Sequence, residues 1–288
     1  MGSVWIPRTY VGPTVLMHPG SGPSDRNNDV YFPPIREHLL EAGLAVCSFD
    51  KRGVGGSTGR WQDAGIIEQA DDLLACVATL MSDPAVPKPV GLFGHSQGGW
   101  VVVEAASRNS KVAFVVANSG PGVTPAVQER YSHRRYLADG GVGDTGMLEA
   151  LKPYDELMEA LRKGATYDEI RRQLDSERLP ALYRERELIL FPEDEELWNF
   201  ALANFDYDPR PALERIKVPV LALFGADDRL VPVEESVAVY REAVASELLR
   251  VAVFPGADHR IQVCDVPRLS DGYLETLTGF VLQGSVVD

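Results

Sequence analysis

Short apolar runs recur along the chain at Thr14 to Met17, Leu44 to Phe49, Val90 to Phe93, Val112 to Ala117, Val218 to Phe224 and Leu249 to Phe254. They are continuous rather than alternating and end in turn-forming residues, the pattern of strands buried on both faces of a parallel sheet. Between them, apolar positions fall at helical spacing over Ile35 to Ala42, Ile67 to Met81, Gly98 to Ala106, Glu234 to Ala245 and Leu274 to Leu282. Strand alternating with helix predicts an α/β chain built on a mostly parallel, doubly wound sheet flanked by helices.

The alternation stops between about Val123 and Pro211, a charged stretch rich in Leu, Glu and Arg and punctuated by Gly140-Gly141, Gly164 and Pro180. No strand pattern occurs there, and strand–helix units of the same kind flank it on both sides. The expected organisation is a core domain of residues 1–122 and 211–288 interrupted by a helical cap at residues 123–210.

Charge narrows the partners. A net charge of −14 repels phosphate backbones and anionic lipid, so neither nucleic acid nor a membrane surface is expected as a partner. Cys47, Cys76 and Cys264 lack metal-ligand spacing and read as core thiols of a reduced compartment. No apolar stretch reaches the roughly 18 residues of a membrane span, and Met1 to Tyr10 lacks a basic region followed by an apolar run. A cytoplasmic location is therefore expected.

The strongest chemical signal is Gly94-His95-Ser96-Gln97-Gly98-Gly99, directly after an apolar strand and directly before a helical run. A serine in so sharp a turn needs small residues two before and two after it, because the backbone crosses itself there; Gly94 and Gly98 meet this requirement. The amides that follow begin a helix, whose positive end favours a developing anion. A serine hydroxyl is a weak nucleophile until a base takes its proton, so a carboxylate and a histidine are expected downstream, in that order. Asp227 and Asp228 follow one strand and His259 follows the last, at the carboxyl edge where open sheets assemble their sites. His38, His95 and His133 lie in a helix, in the serine turn and in the cap, and read as structural. An oxyanion in such a site takes one amide from Gln97 and a second from the turn His18-Pro19-Gly20-Ser21-Gly22-Pro23. Pro19 and Pro23 have no N–H to offer, which leaves Ser21 first and Gly22 next.

These residues resemble the α/β-hydrolase superfamily. Gly20-Ser21-Gly22-Pro23-Ser24-Asp25-Arg26-Asn27 and the D-x-R-G-x-G-x-S run from Asp50 to Ser57 are similar to segments of capped bacterial esterases of the serine aminopeptidase-like branch. The resemblance implies an α/β-hydrolase fold, here with six or seven strands because little chain precedes Thr14, and a catalytic triad of Ser96, Asp228 and His259. Asp228 stands where a G-x-x-D-x-x-V-P pattern puts the acid. The family implies hydrolysis of esters, thioesters or amides with no metal or organic cofactor. The expected reaction is cleavage of a carboxylic ester of a small molecule through an acyl-enzyme, and thioester cleavage would use the same machinery. The alternatives are cleavage of a carbon–carbon bond with the same triad and a non-hydrolytic ligand-binding or cyclisation protein on the same fold. Peptidase activity is less favoured because Gln97 replaces the Trp that often follows serine in related prolyl aminopeptidases, and Ser96 excludes the carboxylate-nucleophile chemistry of dehalogenases and epoxide hydrolases. Tyr131, Tyr136, Tyr154, Tyr183, Phe191, Trp198, Phe200 and Phe205 of the cap are candidates either to line a pocket or to pack its helices.

Overall fold

The structure is a computed structural model and describes residues 1–175, 194–263 and 268–283. Seven strands form the main sheet: β1 (Gly2–Trp5), β2 (Thr14–His18), β3 (Ala45–Phe49), β4 (Val90–His95), β5 (Val112–Asn118), β6 (Val220–Gly225) and β7 (Leu249–Phe254). Their order is β1-β3-β2-β4-β5-β6-β7; β1 runs antiparallel to β3 and every other pairing is parallel. The sheet has the upper of the two strand counts expected. The strand absent from the sequence reading is β1, a four-residue edge strand alternating between exposed and half-buried positions, and so short an edge leaves no continuous apolar run to read.

Alternate side chains send the sheet's residues to two apolar layers. Leu16, Leu92 and Ala117 face α2 (Ile66–Ser82) and α3 (Gln97–Arg108), while Val15, Met17, Phe93 and Val116 face α1 (Phe32–Glu41) and a closing helix at Tyr273–Gln283. Between β5 and β6 lie α4 (Pro125–Asp139), α5 (Asp144–Arg162), α6 (Tyr167–Asp175), α7 (Glu195–Asn204) and α8 (Arg210–Arg215), followed after β6 by α9 (Val233–Ala243). The first four have small apolar clusters of their own, such as Leu137 with Leu151 and Leu157 with Trp198, whereas α8 joins the main core through Ala212 and Leu213. The closing helix is α10, preceded by the short strands β8 (Gln262–Val263) and β9 (Arg268–Leu269). No helix among the described residues is long and apolar enough to cross a membrane. Burial pushes the Cys47 thiol up to about 12 and the half-buried Cys76 thiol up to about 11; Cys264 lies outside the described residues.

The two loop motifs are one physical unit. Asp50, 3% exposed, accepts two bonds from the Arg26 guanidinium at 2.9 and 2.6 Å and one each from the Arg26 and Gly56 amides. The Arg26 guanidinium holds the Asp50 carboxyl well below the usual carboxylate range. A carboxylate depressed in the folded state stabilises above its unfolded value, near 4, and that stabilisation is lost as pH falls through the folded one. Asp50→Asn is expected to cost about 2 kcal/mol at pH 7, since it leaves Arg26 without its charge partner, and less at acid pH. Urea unfolding of both proteins at pH 7 and at about pH 3, below the unfolded carboxyl value, checks this; an equal difference at the two pH values would refute it.

Candidate active site

Strand β4 passes into α3 through Ser96, whose backbone takes φ 55° and ψ −121°. A positive φ is strained for a residue with a side chain, and the surroundings hold it there: the Ser96 N–H donates to the Asn118 carbonyl at 2.9 Å. A Cβ on Gly94 would stand 2.0 Å from the Gly98 carbonyl oxygen, and one on Gly98 would stand 2.6 Å from that of His18. The glycine requirement is thus backbone against backbone, first within the turn and then between α3 and the loop after β2. Gln97 opens α3, so its N–H is among the first-turn donors that have no partner within the helix.

Asp228 follows β6 with a fully buried side chain. Its Oδ1 accepts from the Leu230 and Val231 amides at 2.8 and 2.9 Å, and its Oδ2 lies 2.7 Å from His259 Nδ1. Asp227 is exposed and makes its backbone bond to the Ala257 carbonyl. What joins the two loops is Gly225: a Cβ there would lie 2.1 Å from the Asp258 carbonyl oxygen, so the ends of β6 and β7 touch through bare backbone. Tyr131 of α4 donates to the Asp228 carbonyl at 3.0 Å.

Beneath the turn, the His95 ring lies 5.1 Å from that of His259. Burial, reinforced by His259 and Arg260, holds the His95 imidazole well below its ordinary value. Asn118 approaches its Nδ1 at 3.2 Å, donates to Tyr31 Oη and accepts from Tyr273 Oη. This neutral buried network braces the strand end that carries Ser96. His38, by contrast, is remote and pairs with Thr278.

In the turn after β2, the Gly20 N–H points to Asn28 Oδ1 at 3.4 Å. Among the described residues the Ser21 N–H has no hydrogen-bond partner, and Ser21 lines the same cavity as Ser96 and Gln97. Gly22, at φ 79°, shapes the turn.

That cavity, about 390 Å³, lies between the serine turn and the inserted helices. Tyr154, Trp198, Phe200 and Phe205 line it, together with Trp100, Leu157 and Met158. Of the other aromatic candidates, Tyr136 is exposed, Tyr131 supports Asp228, and Tyr183 and Phe191 lie outside the described residues. Glu129 and His133, one helical turn apart on α4, are its principal ionisable residues; burial lowers the His133 imidazole to about 4. Sequence reading passed over Trp100 because its place on an apolar helix run reads as core, and it had no signal for Glu129.

Residues 29–263 match the family described as serine aminopeptidase, S33. The chain belongs to that family. It is a hydrolase of the α/β-hydrolase fold. Over 279 residues it is 27% identical to the bifunctional esterase/perhydrolase DCH of Acinetobacter calcoaceticus, covering 94% of this chain and 92% of that protein. A 116-residue stretch is 31% identical to the polyketide transferase grgF of Penicillium sp, covering 39% of this chain and 38% of the transferase's length. Among solved structures, Est1E from Butyrivibrio proteoclasticus with bound ferulic acid superposes with a TM-score of 0.60 at 20% identity, over 98% of this chain and 92% of that one. That likeness speaks to the fold.

Proposed function

We propose that this S33-family member is a serine hydrolase that cleaves a carboxylic ester of a small molecule through an acyl-enzyme. The observation that carries the reading is the strained Ser96, opening on the cavity that Ser21 and Gln97 share, with the hydrogen-bonded Asp228–His259 pair on the adjoining loops. Ser96 Oγ attacks the ester carbonyl carbon as its proton passes to His259 Nε2. The carbonyl π pair moves onto oxygen, and the Gln97 and Ser21 amides receive the oxyanion. Collapse expels the alcohol, which takes the proton from His259; water then attacks the acyl-enzyme by the same steps and releases the acid. Asp228 keeps the proton on Nδ1, so Nε2 presents its lone pair.

Residues 123–210 act as the cap in this reading, and the apolar walls contributed by Leu157, Met158, Trp198 and Phe205 suit an apolar acyl or alcohol group. The expected result is turnover of p-nitrophenyl esters of short to medium chain, faster than of acyl-CoA thioesters, together with covalent labelling by a fluorophosphonate. A protein that neither labels nor turns over any ester in the series would overturn the proposal; thioester turnover dominating ester turnover would reassign the substrate and keep the chemistry.

A further inference from the structure

Lys51 fills the variable second position of the D-x-R-G-x-G-x-S run, so the motif itself does not call for a lysine there. Its side chain turns inward and is 5% exposed. The ammonium donates to the Gly20 carbonyl and, at 3.2 Å, to Gln97 Oε1. Gln97 Oε1 also accepts from Gln69 Nε2 at 3.3 Å, and Gln69 Nε2 is itself tied to the Ala64 carbonyl at 3.0 Å. Among the described residues no carboxylate lies within ion-pairing distance of Lys51 Nζ.

We propose that Lys51 is a positioning residue of the oxyanion hole, tying together the two chain segments whose amides receive the oxyanion. This rests on the serine-hydrolase reading above. The Gly20 carbonyl and the Ser21 N–H belong to one planar peptide unit and point in opposite directions. An ammonium that grips the carbonyl therefore sets the direction of that N–H and, by drawing electron density toward the oxygen, makes it a stronger donor. The second tie ends on the side chain of Gln97, the residue whose own N–H is the other donor. One buried cation thus spans both halves of the hole from the side away from the cavity.

The energetics fit a functional rather than a stabilising role. Burial lowers the Lys51 ammonium to about 7, so the charge is kept in the core at a cost to folding. Burial and the nearby Lys51 charge together hold His18 down to about 3, and His18 Nδ1 sits 3.0 Å from the Pro19 carbonyl. That neutral ring and Lys51 line one small cavity beside the turn. A methionine at position 51 would fill the same volume without the charge or the two bonds.

The test compares wild type, Lys51→Met and Gln97→Ala on one p-nitrophenyl ester, with thermal unfolding as the control for folding. Lys51→Met is expected to lose on the order of 10- to 100-fold in kcat with KM changed less than threefold, the mark of an interaction made in the transition state. Its affinity for a trifluoromethyl ketone, which Ser96 converts to a tetrahedral oxyanion, should fall by a similar factor. A ground-state amide analogue should bind as to wild type, whereas a merely structural defect would weaken both inhibitors. Gln97→Ala cuts one tie and leaves the backbone N–H in place, so at least a fivefold loss in kcat is expected, and it carries the test if Lys51→Met does not fold. Wild-type kcat in a folded Lys51→Met, or in Gln97→Ala should the first variant not fold, overturns the proposal. If wild type itself neither hydrolyses esters nor labels with a fluorophosphonate, the parent reading fails instead, which the same assays distinguish.

Discussion

Ser96→Ala is expected to lower kcat for ester hydrolysis by about 10⁴ to 10⁶ and to abolish fluorophosphonate labelling, while the unfolding transition stays within about 1 kcal/mol of wild type. The hydroxyl is the only group the substitution removes. It lies half-buried at the cavity wall, and among the described residues no hydrogen bond of its Oγ holds the turn together. What holds the turn is backbone: the Ser96 N–H to the Asn118 carbonyl, the Gly99 N–H to the Ser96 carbonyl, and the glycine contacts at positions 94 and 98. Alanine inherits all of these together with the same strained φ, so the fold should not register the change. Residual activity near wild type in a folded variant would exclude Ser96 as nucleophile and leave the Asp228–His259 pair to act on water directly.

Asp228→Asn is expected to lose on the order of 10² to 10⁴ in kcat, and Asp227→Asn less than about tenfold. The hydrogen bonds explain why so small a change should be so damaging. Oδ1 of Asp228 faces two N–H donors, those of Leu230 and Val231, and only an oxygen can stay there. An asparagine must therefore turn its NH₂ toward His259 Nδ1. That nitrogen then has to accept, its proton moves to Nε2, and the imidazole no longer has a lone pair on the side that must receive the serine proton. The substitution also removes the negative charge that stabilises imidazolium. Asp227 is exposed and takes part in its turn through its amide, so its side chain has no comparable part. Measuring both variants on one ester decides the matter. A crippled Asp227→Asn beside an active Asp228→Asn would shift the acid by one residue and contradict the hydrogen-bonding pattern.

Local physics made much of this chain readable before its structure. Six of the seven main strands and the helices between them follow from apolar periodicity, because burial on two faces demands a continuous apolar run and burial on one helix face demands a repeat of three and four. The serine turn was equally legible: the need for glycine at positions 94 and 98 arises within a few residues, so it is written in those residues. Tertiary structure decided what depends on distant partners. Strand β1 exists because β3 offers it an edge. Asp228 rather than Asp227 meets His259 because adjacent side chains point apart and the contact at Gly225 brings two loops together across the sheet edge. The cavity draws Trp100 from the core, Glu129 from α4 and four of the eight candidate aromatics from the insert, a selection set by which way each helix faces after packing. Lys51 is the sharpest case. In sequence it is one more lysine in a glycine-rich loop, and its contact with Gly20 and Gln97 exists only once β2, β3 and α3 are laid side by side.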